Sequence, residues 1–254
     1  MIERTYIDGL VSVITPVYNA EKVIACTIQS VLDQTYENIE MILVDDCSKD
    51  DSKKIIMSFC DKRVKYYCQE KNMGAGVARN KALELAKGQY VAFLDADDVW
   101  ENAKIEKQIS LMKETNSWFS YTGSRVINED GMLTKKVRKV RPKCSYKKLL
   151  RNTMIMTSSV LVDRSKAGDF RMPEIRSGQD YATWLMLLRK DKVAFGVCEP
   201  LCRYRNTSNS LSSNKFKSIK QVYTIQRKQE GINPIFAFFN TCFFIWNALI
   251  KHIF

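Results

Sequence analysis

The stretch Tyr90-Val91-Ala92-Phe93-Leu94-Asp95-Ala96-Asp97-Asp98 is an apolar run that ends on three carboxylates. Such a run predicts a buried strand whose carboxyl end opens into a crevice, where α/β proteins bind ligands. Three acids within four residues repel one another, and hard divalent cations prefer carboxylate oxygens, so the stretch predicts a Mg²⁺ or Mn²⁺ site. The alternative is a helix N-cap before Val99-Trp100-Glu101, which explains one acid and leaves the other two unexplained.

Strand and helix patterns alternate before this stretch. Strands are predicted at 10–15, 39–44 and 64–68, each followed by an amphipathic helical segment. The order βαβαβαβ predicts an α/β fold, in which a parallel sheet has helices on both faces. The second strand also ends on paired acids, Asp45 and Asp46.

The turn Gly74-Ala75-Gly76 opens the third of these helices. It is a weak match to a dinucleotide-binding fingerprint, because Arg79 stands where the third glycine is needed and the turn does not follow the first strand. Arg79 lies one turn into the helix, where it could reach a nucleotide or pair with a nearby acid.

The second half of the chain predicts further strands and one apolar helix. The strands are expected at 118–122, 157–162, 193–197 and 201–204, with a hairpin at 126–133 around Asn128-Glu129-Asp130-Gly131. Asp180 stands at the start of the helix that carries Trp184. An acid at that position usually stabilises the first turn, so capping is the simpler interpretation of this residue.

Charge is distributed unevenly along the chain. The net charge is +12, yet residues 1–110 carry 14 basic and 18 acidic side chains, which leaves +16 for residues 111–254. Residues 135–151 hold nine basic side chains and no acid. This segment is either a mobile, solvated loop or a site that docks on an anionic lipid or a diphosphate.

Several classes of site are excluded by composition. The single histidine, His252, lies near the C-terminus, so a Ser-His-Asp triad or a histidine base is effectively excluded and the proton acceptor must be a carboxylate, a lysine or a tyrosine. The eight cysteines include no CxxC pair, which argues against a zinc site and for a reducing compartment. No signal peptide is visible at the N-terminus, so we expect a cytoplasmic protein.

The last apolar stretch, residues 235–250, has helical periodicity. At 16 residues with polar interruptions it is shorter than the ~20 residues that a membrane-spanning helix needs. Its apolar positions fall on one face, opposite Asn240, Asn247 and Lys251. This pattern predicts either an in-plane helix at a membrane surface or an oligomer contact.

Four motifs in order resemble the family 2 glycosyltransferases, which are inverting enzymes of the GT-A fold. The motifs are Val11-Ser12-Val13-Ile14-Thr15-Pro16-Val17-Tyr18-Asn19, Val44-Asp45-Asp46-Cys47-Ser48-Lys49-Asp50, Asn72-Met73-Gly74 with Ala78-Arg79-Asn80, and Phe93-Leu94-Asp95-Ala96-Asp97-Asp98. The resemblance is strong over residues 10–112 and resumes at Gly178-Gln179-Asp180-Tyr181. It implies a Rossmann-like, mostly parallel sheet with helices on both faces, to which the periodicity of residues 235–250 adds a C-terminal apolar amphipathic helix; after Tyr204 the resemblance is weak.

The resemblance also implies a role for each matching position. Nucleotide-sugar binding is assigned to Pro16, Tyr18, Asn19, Asp46, Arg79, Asp95 and Ala96, metal binding to Asp97, and catalysis to Asp180 as the base. The sequence departs from the family where Gln179 replaces the usual glutamate and where Asn206 and Thr207 follow Tyr204-Arg205 without a histidine. These departures leave the third metal ligand unassigned.

The expected function is therefore transfer of a sugar from a UDP-sugar to a polyprenyl-diphosphate-linked saccharide, with Mn²⁺ or Mg²⁺, at the inner membrane face. We expect a glycosyltransferase domain at 1–212, divided near 115 into nucleotide-sugar and acceptor halves, and a helical tail at 213–254 that contacts membrane or forms a homo-oligomer. The alternatives are a non-catalytic membrane- or nucleic-acid-binding protein and a nucleotidyltransferase. Residues 135–151 contain a single aromatic residue, Tyr146, which argues against nucleic acid.

Overall fold

A computed structural model describes residues 5–152, 154–190, 192–206 and 215–253. The strands in chain order are β1 Ile7–Val17, β2 Ile39–Asp45, β3 Val64–Cys68, β4 Gly88–Phe93, β5 Val99–Trp100, β6 Phe119–Ile127, β7 Leu133–Arg138, β8 Lys143–Ser145, β9 Leu161–Asp163 and β10 Val193–Arg205. The helices are α1 Ile24–Leu32, α2 Ser52–Met57, α3 Ala75–Leu85, α4 Lys104–Glu114, α5 Tyr146–Arg151, α6 Arg164–Ala167, α7 Gln179–Leu188, α8 Lys215–Lys228 and α9 Pro234–Ile253, with a 3₁₀ turn at Thr157–Ser159.

The strands form one mixed sheet in the order β3-β2-β1-β4-β9-β6-β10-β5. The first four are parallel, as the βαβαβαβ pattern predicts. The carboxyl ends of β1, β2 and β4 therefore meet at one edge of the sheet. β9 runs antiparallel between β4 and β6, and this places the second half of the chain beside the loop that follows β4.

The sheet is covered on both faces because its central strands are apolar on both sides. Ile14 of β1 and Phe93 of β4 pack with α3 and α7 on one face. Val13 of β1 and Ala92 of β4 pack with α1 and α4 on the other. Strands that are buried on both faces have continuous apolar sequences, because side chains on either face contact the core.

Three sequence-based expectations about local structure need correction. Val99–Trp100 is a short strand paired with β10 rather than the start of a helix, since α4 begins at Lys104. Residues 157–159 form a 3₁₀ turn, and only Leu161–Asp163 is strand. The expected strands around Pro200 are one strand, β10, whose register against β6 shifts at the proline.

The basic segment at 135–151 forms regular structure. It spans most of β7, all of β8 and α5. The α8 helix, which follows the strands, places Val222 and Ile225 in the same apolar cluster as α7.

Candidate active site

The loop after β4 is anchored by the last acid of the triplet, Asp98. Asp98 is buried, and its carboxylate accepts hydrogen bonds from the Ser158 hydroxyl (2.5 Å) and the Arg205 backbone N–H (2.9 Å). Burial, with the charges of Asp97 and Asp95, raises the pKa of Asp98 well above its ordinary value. Asp98 is thus a structural member of the acidic triplet, and it fixes the loop on which Asp95 and Asp97 are presented.

Arg79 lies against this loop from the first turns of α3. Its Nη2 donates to Asp95 Oδ1 at 2.6 Å, and the guanidinium is almost fully buried. Burial lowers the pKa of Arg79, but the negative charges of Asp95, Asp180 and Asp97 outweigh burial and raise it. One buried cation is thus paired with Asp95 and lies within the electrostatic influence of Asp97 and of Asp180, which is distant in sequence.

Asp97 is the acid of the triplet to which no other residue donates a side-chain hydrogen bond within the part of the chain described. Burial and the neighbouring charge of Asp95 raise its pKa to about 6, against the lowering effect of Arg205 and Arg79. A carboxylate that is costly to ionise in the protein alone is stabilised when a cation binds to it.

Asp180 occupies the first turn of α7 but does not cap it. The N-cap is Gly178, in a left-handed conformation with φ of 73°, and no side chain caps the helix. Asp180 Oδ2 instead accepts a hydrogen bond from the Thr157 hydroxyl at 2.9 Å. The carboxylate is directed toward the 3₁₀ turn that also supports Asp98, so the simpler capping interpretation is not what the structure shows.

A glycine allows α7 to approach α3. A Cβ at Gly76 would lie 3.1 Å from Cγ of Gln179, the residue that precedes Asp180. The absence of a side chain at Gly76 lets Gln179 lie against α3, and Asp180 is brought toward Arg79 as a result.

The remaining predicted residues lie at the ends of β1 and β2 and in the loop after β4. Tyr18 is 49% exposed, and Pro16 is partly buried beside it. Asn19 has a φ of 48°, and its side chain accepts a hydrogen bond from Lys49 N–H. The carbonyl of Ala96 accepts a hydrogen bond from the Thr27 hydroxyl at 2.8 Å.

Asp46 is more enclosed than the motif alone indicates. It is buried, and its carboxylate accepts hydrogen bonds from the backbone N–H groups of Met73 and Gly74 and from Gln69 Nε2. Asp46 therefore positions the glycine turn that opens α3 and, through that helix, Arg79. Its expected contact with uracil stays a prediction.

Two supporting groups were missed by sequence reasoning. Ser158 accepts from Asp95 N–H as well as donating to Asp98, and Arg205 Nε donates to the Asp97 carbonyl at 2.9 Å. In the sequence, Arg205 stands out only because no histidine follows it. Isolated serine and arginine residues carry no local signal, since their partners lie 63 and 108 residues away in the chain.

The acidic groups fit a metal that shares its ligands with a substrate. In residues 5–152, 154–190, 192–206 and 215–253, no group of three His, Cys, Asp or Glu side chains is arranged to enclose an ion. Mg²⁺ is commonly held by one or two carboxylates together with substrate phosphates and water. Asp97 is partly exposed, as such an open site requires, and a bound cation would offset the burial and the Asp95 charge that raise its pKa.

Comparison with known proteins gives a consistent family. The model for "Glycosyl transferase family 2" matches residues 12–169. A protein of Bacillus subtilis (strain 168) named "Putative teichuronic acid biosynthesis glycosyltransferase TuaG" is 44% identical over 96% of this chain and 98% of its own length. WfgD of Escherichia coli, named as a UDP-Glc:α-D-GlcNAc-diphosphoundecaprenol β-1,3-glucosyltransferase, is 40% identical over 86% and 85% of the two chains.

Solved structures confirm the predicted fold. TarS of S. aureus (residues 1–349, in complex with UDP) superposes with a TM-score of 0.67 at 20% identity, covering 90% of this chain and 68% of that one. The mannosyltransferase PcManGT of Pyrobaculum calidifontis, in complex with GDP-Man and Mn²⁺, gives 0.68 at 16% identity, with coverages of 88% and 64%.

Proposed function

Because this chain belongs to glycosyltransferase family 2, we propose that it transfers a sugar, with inversion, from a UDP-sugar to a hydroxyl of a polyprenyl-diphosphate-linked saccharide in bacterial surface polysaccharide synthesis. The observation that carries the proposal is the meeting of three elements. Arg79 of α3 is ion-paired with Asp95 of the loop after β4 at 2.6 Å, and the charges of Asp97 in that loop and of Asp180 in α7 act on the same guanidinium.

The substrate class is supported by the names of two relatives. WfgD and WfaP of Escherichia coli, 40% and 37% identical, are both named for transfer from UDP-Glc to GlcNAc-diphosphoundecaprenol. UDP-glucose is therefore the first donor to test.

Asp180 is proposed as the general base. Its carboxylate accepts the proton of the acceptor hydroxyl as the oxygen attacks the anomeric carbon from the side opposite the diphosphate, and a single displacement of this kind inverts the configuration. Thr157 donates to one oxygen of the carboxylate. The other oxygen has no hydrogen-bond donor among the described residues and is free to take the proton.

Asp97 would hold the Mn²⁺ or Mg²⁺, which supplies positive charge to the leaving diphosphate. Arg79 adds a fixed positive charge, because Asp95 and the surrounding protein immobilise its guanidinium. A preorganised charge of this kind stabilises the transition state without a cost of reorganisation during the reaction. Pro16, Tyr18, Asn19, Asp46, Asp95 and Ala96 are proposed to line the nucleotide-sugar.

A lipid-linked acceptor would require the enzyme to work at a membrane surface. Among the described residues, no helix is both long and apolar enough to cross a bilayer. We propose peripheral association with the cytoplasmic face of the cell membrane, where nucleotide-sugars and the diphosphate end of a lipid-linked saccharide are both accessible.

The test is a panel of UDP-sugars incubated with Mn²⁺ and a short-chain polyprenyl-diphosphate N-acetylglucosamine. UDP release and the mass of the glycolipid are measured for the wild type and for Asp180→Asn. We expect one donor, UDP-glucose first, to give a product heavier by one sugar, with the product lost in the variant. Failure of every UDP-sugar to bind or release UDP in the presence of metal would contradict the proposed donor class.

A further inference from the structure

The last helix presents six large apolar side chains to the surface and packs one, Phe244, against the core of the protein. Ala237 and Thr241 of α9 are buried, whereas Trp246 is 63% exposed. The exposed large side chains of this helix are Ile235, Phe236, Phe238, Phe239, Phe243 and Trp246. A surface helix of a globular protein ordinarily buries its apolar stripe and exposes its polar one, so the orientation of α9 is inverted.

Hydrogen bonds to α5 hold this orientation. Asn240 Oδ1 accepts from Arg151 Nε at 3.2 Å, and Asn247 Nδ2 donates to the Arg151 carbonyl at 3.1 Å. The Arg151 guanidinium also lies 4.9 Å from the centre of the Phe243 ring. The polar positions of α9 are thus used within the chain, and a cation stands at the edge of the aromatic face.

The helices beside this face are uniformly basic. α9 packs against α5 and α8. Together the three helices contain nine lysine and arginine residues and no acid: Lys147, Lys148, Arg151, Lys215, Lys217, Lys220, Arg227, Lys228 and Lys251. Glu230, between α8 and α9, is paired with Arg189 of the neighbouring segment at 2.9 Å.

We propose that the exposed face of α9, with the basic helices α5 and α8 beside it, is the surface by which this enzyme docks on an anionic lipid bilayer. The aromatic side chains would enter the interface between headgroups and acyl chains, and the cations would lie at the headgroups. A second copy of the chain fits this face less well, because a twofold contact places the same basic helices against each other.

The docking surface is connected to the candidate base by one buried side chain. Gln226 of α8 donates to the carbonyl of Leu150 in α5 (2.9 Å) and to the hydroxyl of Tyr181 in α7 (3.1 Å). Tyr181 follows Asp180 directly. This proposal rests on the proposed function, which supplies the membrane-borne acceptor. It adds which side of the enzyme faces the membrane.

Vesicle binding tests the surface without donor or acceptor, so its result is independent of the proposed activity. The full chain is sedimented with vesicles of phosphatidylcholine alone and with vesicles that also contain phosphatidylglycerol. We expect binding to the anionic vesicles that weakens with salt. Phe239→Gln with Trp246→Gln should lower the partition coefficient by about 10²-fold, because two large apolar side chains no longer enter the interface. The matched control is Met132→Gln with Leu133→Gln, an exposed apolar pair outside α9, and it should bind as the wild type does.

The basic side chains of the docking surface are tested by a second matched pair of variants. Lys147→Gln with Lys148→Gln on α5 should lower partitioning by about 30-fold, whereas Lys135→Gln with Lys136→Gln on β7 should leave it nearly unchanged. Hydrolysis of the UDP-sugar in solution should be equal in all four variants. The proposal is overturned if the wild type ignores anionic vesicles, if the α9 variant binds as well as the wild type, or if the β7 pair matters as much as the α5 pair. It is also overturned if light scattering shows a dimer that the α9 substitutions dissociate.

Discussion

The Asp180 carboxylate accepts a hydrogen bond from Thr157 and leaves the cap of α7 to Gly178. Asp180→Asn keeps an acceptor for Thr157 and the size of the side chain, but an amide cannot take the acceptor's proton. We expect the transfer rate to fall by about 10²- to 10⁴-fold, with the melting temperature and the affinity for UDP nearly unchanged. Near wild-type transfer by a folded variant would leave the base unassigned.

Thr157 provides the control for positioning. Thr157→Val removes the hydrogen bond at similar volume and should lower kcat by about tenfold, with KM for the donor unchanged, because the carboxylate loses its orientation but keeps its chemistry. Thr157→Ser restores the hydroxyl and should restore kcat. A loss of donor affinity in Thr157→Val would indicate a structural role instead.

At Asp97 we expect stability and function to conflict. Its pKa is raised to about 6 in the folded protein, chiefly by burial. The free energy of unfolding of the metal-free protein therefore falls as the pH rises from the ordinary carboxyl pKa to about 6. Above that pH this group causes no further loss of stability. A shift of one pKa unit corresponds to about 1.4 kcal/mol, so ionisation of Asp97 lowers the free energy of unfolding by up to about 3 kcal/mol at neutral pH.

Asp97→Asn should therefore stabilise the protein in EDTA at neutral pH while abolishing metal-dependent binding of the UDP-sugar. Urea unfolding of both proteins at about pH 4 and at neutral pH measures the effect, and calorimetry measures binding. The difference in unfolding free energy should be present at neutral pH and nearly absent at the acidic one. Equal stability at both values would contradict the raised pKa.

At the scale of elements, the contact between α3 and α7 depends on Gly76. Gly76→Ala places a methyl group 3.1 Å from Gln179 Cγ, so the side chain of Gln179, in the first turn of α7, must give way by a few tenths of an ångström. Because Asp180 is the next residue, we expect a fall in kcat that exceeds any change in melting temperature.

Gln179→Ala in the Gly76→Ala background removes the atoms in contact and should recover most of the lost kcat. Comparison of the two single variants with the double variant gives the coupling energy. Additive effects would show that the contact does not position the base.

At the scale of the whole molecule, Gln226 joins the candidate docking surface to the catalytic helix. Gln226→Leu removes two buried hydrogen bonds, to Leu150 and Tyr181, and should lower the unfolding free energy by about 1–3 kcal/mol. We expect transfer to a lipid-linked acceptor to fall more than hydrolysis of the donor, because α8 supports α5 and α7.

Gln221→Leu on the same helix is the matched control. Gln221 donates to the Ser177 carbonyl at 2.8 Å but is only partly buried, so water can replace it. Its substitution should cost less than half as much stability. An equal cost at both positions would show that burial of Gln226 is not the cause.

The parallel half of the sheet, the family and the candidate residues could all be predicted from the sequence alone. These are local properties: apolar runs, turn residues and short motifs lie within a few residues of one another, so they can be read without the fold. The tail was likewise predicted as a helix with one apolar face.

The contacts that each of those groups makes become visible in the folded chain alone. Asp98 became a buried support because Ser158 and Arg205 reach it from 60 and 107 residues away. Asp180 does not cap α7 as expected, because its carboxylate is bonded to Thr157, which lies 23 residues before it in the chain. Periodicity shows that α9 has an apolar face but not which way that face turns, and the bonds of Asn240 and Asn247 to α5 turn it outward. Partners distant in sequence carry no local signal, so the roles of these residues depend on contacts that exist only in the folded chain.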